Sequence, residues 1–248
     1  VLGIPSIDWV NLQIGYDYDT QQNAERHMAE MAAYDTVQGY ARCFDVRVLE
    51  ERLGKVHAFC TETVEFVMNV FKLPEPEKLR LQTQGLFRKS AKVGKDPVKI
   101  MTWLLLARYY AYSHELKTTY DQTRLDELIP KISIILHENV NTLKRLEETF
   151  AEYGILFGVV AKVQGASIDG YSFEHEGHPC IIVTMRYDRI DNLSFSVMHE
   201  LGHVINHDLE GFNVDIDDYD HQSSREKAAN QFAANALISD ADWKTVPK

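Results

Sequence analysis

Cysteine is scarce in this chain: Cys43, Cys60 and Cys180 are the whole complement of its 248 residues. They are odd in number, scattered and never spaced as CxxC. That pattern excludes a disulfide framework and leaves three reduced thiols, each read as a small buried hydrophobe and not a metal ligand. Long apolar runs are also missing. No stretch approaches the ~18 residues of a membrane-spanning helix, and no signal peptide opens the chain. The expectation is a cytoplasmic protein with no membrane partner. Positive charge is in deficit, with 26 Lys and Arg against 37 Asp and Glu and a net charge of −11. Neutralising DNA phosphates needs clustered cations, so duplex binding by this portion is not expected. The one basic run, Arg88 to Lys95, has no interleaved aromatics and reads as a solvated loop. Internal repeats and low-complexity segments are absent as well.

What is present suffices for one large core or two modest ones, since 45% of the residues are hydrophobic. Residues 1–20 read as a helix and its exit, with Gly15 and the Tyr16-Asp17-Tyr18-Asp19 stretch ending it. Helical periodicity then predicts Ala24–Ala33, Val46–Phe71, Pro97–Ser113, Leu125–His137 and Val140–Tyr153, with Gly154 as a left-handed stop. The pattern changes at that glycine. Ile155–Val163 is β-rich, and Tyr171–Phe173 and Cys180–Thr184 flank a predicted turn at Glu176-Gly177-His178-Pro179. Three parts result: 1–20, a mostly helical 21–153, and 154–248, a small sheet beside helices. The fold class is α+β.

The most informative stretch is His199-Glu200-Leu201-Gly202-His203. Phe195, Met198, Leu201, Val204 and Ile205 recur at helical steps, so the segment is an amphipathic helix. Residues four apart share a face, and His199 and His203 can offer two imidazoles to one metal ion. Glu200 follows the first of them and can reach the position where a carboxylate takes a proton from the attacking water. Gly202 costs a helix about 1 kcal/mol against Ala. It therefore asks for a reason, either close approach of another backbone or tight packing.

A catalytic site of this kind has a third protein ligand. His207, Asp208, Glu210, the Asp215–Asp220 cluster, His221 and Glu226 are all downstream. His207 lies a turn past the metal, and the acidic cluster lacks the central glycine of a calcium loop. Glu226 opens a second helix whose stripe, Ala229, Phe232, Ala233, Ala236 and Leu237, permits close packing on the first. Asn230, one turn on, could orient a ligand. Glu226 also completes a capping box with Ser223, and the local pattern is compatible with either role.

The set His199–His203 followed by Glu226, Asn230, Phe232, Ala233 and Ala234 resembles the ImmA/IrrE zinc metallopeptidases, as do Ile168–Phe173 and Pro179–Val183 upstream. Ala228 stands where that family usually has a second glutamate, and Ile238-Ser239-Asp240 replaces its usual ending. The resemblance implies a zincin-like domain with zinc on His199, His203 and Glu226 and with Glu200 as general base. Residues 2–17 are similar to the end of the helix-turn-helix domain of HigA-type antidote regulators. Phe87–Ser90, Asp96–Val98, Trp103 and Leu104 resemble the middle of fused regulator–peptidase proteins. From this, and from a start without Met, we expect a fragment whose DNA contacts lie upstream of Val1.

Three readings follow: a zinc endopeptidase that cleaves a regulatory protein, a regulator or antitoxin whose peptidase-like domain senses a signal or holds a partner, and an inactive scaffold. Intact Glu200 favours the first over the third. An extended peptide could add to a sheet edge beside the metal helix. Expected partners are a protein or peptide substrate, a cognate toxin and a second copy of the chain. Tyr171, His175, His178, Tyr219 and His221 could all donate to an oxyanion, and the pattern selects none.

Overall fold

In the computed structural model, residues 5–54, 60–80, 96–185, 189–209 and 224–237 are described. The first helix, α1 (Ser6–Tyr40), runs straight through the expected exit at Gly15 to Asp19. The correction has a local cause. Exposed side-chain bonds one turn apart, Gln13 to Asp17 at 2.8 Å, Gln21 to Glu25 at 2.9 Å and Arg26 to Glu30 at 3.1 Å, support the helix on both sides of the glycine. No proline interrupts it.

The expected Val46–Phe71 helix is two. Asp45 caps α2 (Val46–Leu53) by accepting from the Val48 amide, and Gly54 ends it at φ +62°. The chain is helical again in α3 (Cys60–Phe71). Asp96 and Pro97 start α4 (Pro97–Tyr112), which is buried almost all round. Beyond a short 3₁₀ turn lie α5 (Leu125–Glu138) and α6 (Thr142–Glu152), joined through Asn139 and Asn141 at positive φ. Gly154 takes φ +72°, and a side chain there would strike the backbone of Tyr120.

Three strands follow: β1 (Leu156–Val159), β2 (Gly170–His175) and β3 (His178–Val183), in the order β1-β3-β2. β1 runs parallel to β3, and β2 pairs with it as a hairpin. The turn is only Glu176-Gly177, both at positive φ, the geometry that matches strand twist. His178 and Pro179, expected in the turn, begin β3 instead. Pro179 is tolerated there because β1 pairing starts one residue later, at Cys180.

Period-2 alternation turns the sheet into a partition. Cys180 and Ile182 join Leu156, Tyr171, Phe173 and the α4 residues Trp103 and Leu104 on one face. Ile181 and Val183 join Phe157, Phe150 of α6 and Val197 and Leu201 of α7 (Ile190–Ile205) on the other. The last described helix, α8 (Ser224–Leu237), packs on α7. The result is the α+β arrangement expected, with helices on both faces of the sheet.

Cys43 and Cys180 are fully buried, and burial pushes their thiols up to about 11 and about 12. Both fill core space, as expected. The side chain of Cys60, the basic run Arg88–Lys95 and residues Val1 to Ile4 lie outside the described residues. Among the described residues, no helix is long and apolar enough to cross a membrane.

Candidate metal centre

Helix α7 lays Leu193, Val197, Leu201 and Val204 into the core and turns His199 and His203 toward α8. The imidazoles meet edge-on at 81°, with their Nε2 atoms 3.2 Å apart. Gly202 makes the next step possible. A Cβ there would lie 3.1 Å from the Cα of Ala229 and 3.2 Å from Phe232, so the two helices touch at a glycine and an alanine. Of the two reasons open for Gly202, the structure supplies this close helix–helix packing. One turn before Ala229 the approach delivers Glu226. Its Oε2 lies 3.3 Å from His199 Nε2, and its Oε1 lies 3.4 Å from His203 Nε2.

These three residues can each offer one ligand atom, all within 4.8 Å of one another. Each Nδ1 faces an oxygen: Asn230 Oδ1 at 3.1 Å from His199 and Asp208 Oδ2 at 3.3 Å from His203. With the ring hydrogens on Nδ1, two Nε2 lone pairs and a carboxylate converge on one point. Such a set repels itself unless a cation sits in it.

Protons show the same demand. Burial pulls the His203 imidazole down, but Glu226, Glu200 and Asp208 outweigh it and carry it up to about 9. Burial also pushes Glu226 up, and the two histidines override it, bringing the carboxyl down to about 2. The donor set fits zinc in type and in spacing. Tetrahedral donors at about 2.0–2.1 Å from a metal lie about 3.3 Å from each other, and the three observed separations are 3.2, 3.3 and 3.4 Å.

Glu200 points away from α8 toward the sheet. Its Oε2 accepts a 2.7 Å hydrogen bond from the buried Ser172 hydroxyl of β2. Burial raises its carboxyl above the usual range, against the pull of His199, His203 and Ser172. Gly170 abuts it: a Cβ there would fall 2.5 Å from Glu200 Oε1 and 2.7 Å from its Cγ. Glu200, His199, His203 and Glu226 line one cleft of about 260 Å³ with Phe195 and the segment from residue 167 to 172.

Residues 156–248 match the model of peptidase family M78, the IrrE N-terminal-like domain. This supports an ImmA/IrrE-type, metallopeptidase-like domain over the last third of the chain. No curated protein and no solved structure matches the chain. Within the IrrE-like segment the structure brings together all four residues expected from the sequence: His199, Glu200, His203 and Glu226.

Of the alternatives for a third ligand, His207, at φ +54° just past α7, neither joins the donor cluster nor lines the cleft, and Asp208 sits on the Nδ1 side of His203. Glu210, Asp215–Asp220 and His221 lie outside the described residues, as do Ser223 and Tyr219. Of the oxyanion candidates, Tyr171 accepts from Arg108 at 2.7 Å on the far face of the sheet, and His178 faces the Gly154 carbonyl at 3.0 Å. His175 does not line the cleft. Gly170, Ser172 and Arg225 escaped sequence reasoning. Ser172 and Gly170 lie in the family-like stretch Ile168–Phe173, but their contact with Glu200 comes from the register of a distant strand, so that stretch gives them no role.

The Gly170 contact yields a test. If Glu200 is the base of a zinc-dependent hydrolysis, Gly170→Ala is expected to lower it about 100-fold while leaving zinc content unchanged. What yields is the Glu200 carboxylate, the flexible end of a side chain, and a displacement near 1 Å costs about that factor in a catalytic group. Zinc analysis beside a cleavage assay reads both. Unchanged hydrolysis in this variant would show that the position of Glu200 does not matter.

Proposed function

We propose that this chain carries a zinc-dependent endopeptidase domain that hydrolyses a peptide bond in a regulatory or partner protein. The reading is carried by one observation: the Nε2 atoms of His199 and His203 and the Glu226 carboxylate sit at tetrahedral-donor spacing, with a second, buried carboxylate beside them in the same cleft. His199, His203 and Glu226 would hold the ion. Zinc so held would supply Lewis-acid chemistry, polarising the substrate carbonyl and making the attacking water more acidic.

The rest is done by the chain's own residues. Glu200 accepts the proton of the attacking water and returns it to the leaving amine. Burial raises its carboxyl above the usual range, which suits a group that must both take and give a proton. Ser172 and Gly170 fix where that carboxylate stands.

Substrate alignment falls to β2. Thr184 N donates to Asp169 O at 2.9 Å, so the ladder bonds alternate from there and leave the main-chain groups of Gly170, Ser172 and Glu174 on the outer edge. An extended peptide can add to that edge, which fixes its scissile carbonyl across the cleft. Phe195, stacked on His199 at 6.0 Å, and Ile168 give the cleft an apolar wall.

A second reading, a regulator or antitoxin in which this domain senses a signal or holds a partner such as a toxin, is favoured by α1. Every side chain described from residue 7 to 32 is exposed, among them Ile7, Trp9, Leu12, Ile14, Met28 and Met31. Such a surface invites a protein partner, and one chain can do both.

Metal analysis tests the main reading. The dialysed protein is expected to retain about one zinc per chain and to cleave members of a proteome-derived peptide library. A strong chelator stops the cleavage and added zinc restores it. Protein that takes up no zinc from a micromolar solution would overturn the assignment.

A further inference from the structure

Asp208 is almost fully buried, with 7% of its side chain exposed, yet it takes no part in the three-donor cluster. Three contacts fix it. Its amide donates to the His203 carbonyl at 2.9 Å, closing the end of α7 through the positive-φ turn at His207. Its Oδ2 faces His203 Nδ1 at 3.3 Å, and its Oδ1 accepts from Arg225 at 3.0 Å. Arg225 belongs to the first turn of α8 and immediately precedes Glu226. One ion pair thus links the end of α7, behind one imidazole, to the start of α8, which carries the carboxylate.

We infer that Asp208, anchored by Arg225, is a positioning residue that sets the strength of the metal centre through His203. The inference deepens the zinc reading and rests on it. A carboxylate at Nδ1 holds the ring hydrogen there, keeps Nε2 bare, fixes the ring plane and makes the imidazole a better donor; losing such a partner costs about 10–100-fold in metal affinity. The two histidines differ in this respect. His199 faces the neutral amide oxygen of Asn230, whereas His203 faces a charge.

Asparagine cannot replace the aspartate. Asp208 meets two donors, the imidazole N–H and the guanidinium, with two acceptor oxygens. An amide has one oxygen and would turn its NH₂ toward one of them. The anchor also makes the arrangement reciprocal, because the Asp208–Arg225 pair presents Glu226 at the height of the two Nε2 atoms.

Zinc affinity, measured by competition with a chromophoric chelator at one pH, tests this on four proteins: wild type, Asp208→Asn, Arg225→Gln and, as control, Asp191→Asn. Asp191 is an exposed acid paired with Arg189 at the opposite end of α7. Asp208→Asn is expected to bind zinc about 10–100-fold more weakly, Arg225→Gln to lose part of that, and Asp191→Asn to match wild type. Nitrogen-15 spectra of the zinc-loaded proteins add a readout that a merely structural role does not move. The downfield Nδ1–H signal of His203 is expected to shift upfield in Asp208→Asn while that of His199 stays.

Wild-type affinity with an unshifted His203 signal in Asp208→Asn would overturn the inference and leave the metal centre standing. A wild-type protein that binds no zinc would remove both. Should Asp208→Asn fail to fold, Arg225→Gln decides: reduced affinity with a shifted signal supports the inference, and unchanged affinity with an unshifted signal refutes it.

Discussion

Glu200→Gln is expected to keep the fold and the zinc and to lose peptide hydrolysis by about 10²–10⁴-fold, the range over which a positioned general base contributes. The substitution suits this site. The amide is nearly isosteric, and its oxygen can still accept the Ser172 hydroxyl, so the strand-to-helix contact survives. What changes is the atom facing the cleft, where an N–H donor replaces a proton acceptor. Stability should not fall, because the wild-type carboxyl is already raised by burial and a neutral amide is easier to bury than a charge. Cleavage of the peptide library, followed by mass spectrometry, gives rate and sites together. Equal rates for the two proteins would remove Glu200 from the chemistry. A variant that loses zinc along with activity would instead mark Glu200 as part of the metal cluster.

The motif helix could be read from sequence because its logic is local. A 3.6-residue period places His199 and His203 on one face and the apolar stripe on the other, whatever the rest of the fold does. Glu226 was half legible. Its helix, its alanines and its resemblance pointed to the metal, while the capping-box pattern offered an equally local alternative; the contact of Gly202 with Ala229 is what brings its carboxylate to the imidazoles. The contact of Gly170 and Ser172 with Glu200 was not legible, although both lie in the family-like stretch Ile168–Phe173, because they reach Glu200 through the register of the β2–β3 hairpin, and register depends on where one turn begins. That turn was read two residues too long. Asp208 was weighed only as a ligand, since the left-handed turn at His207 that folds it behind His203 has no glycine to announce it. In α1, Gly15 and an Asp-rich stretch read as an exit, although a glycine costs a helix only about 1 kcal/mol and neighbouring pairs can offset that. At Gly54 the opposite error occurred: the helical period continues past a glycine that takes a left-handed φ and ends the helix.

Glu226→Ala is expected to reduce zinc from about one per chain to nearly none after dialysis against a chelator of moderate strength. Two imidazoles remain, but they are adjacent residues of one helix face and complete only half of a tetrahedral set. The competing role for Glu226, closing a helix cap, predicts a different size and kind of effect. Loss of a cap costs about 1 kcal/mol whether or not zinc is present. Loss of a ligand shows only when zinc is supplied: at a hundredfold excess over Kd, zinc stabilises the native state by about 2.7 kcal/mol. In a chain of this size that corresponds to roughly 5–10 °C in Tm at about 2–4 °C per kcal/mol. Wild type is therefore expected to gain that Tm increment with zinc, and Glu226→Ala to gain none. His203→Ala should behave as Glu226→Ala does, and His207→Ala as wild type, since His207 is neither in the donor cluster nor in the cleft wall. A Glu226→Ala protein that binds zinc as wild type does, and falls in Tm equally with and without it, would return Glu226 to the cap and leave the centre without a third ligand among the described residues.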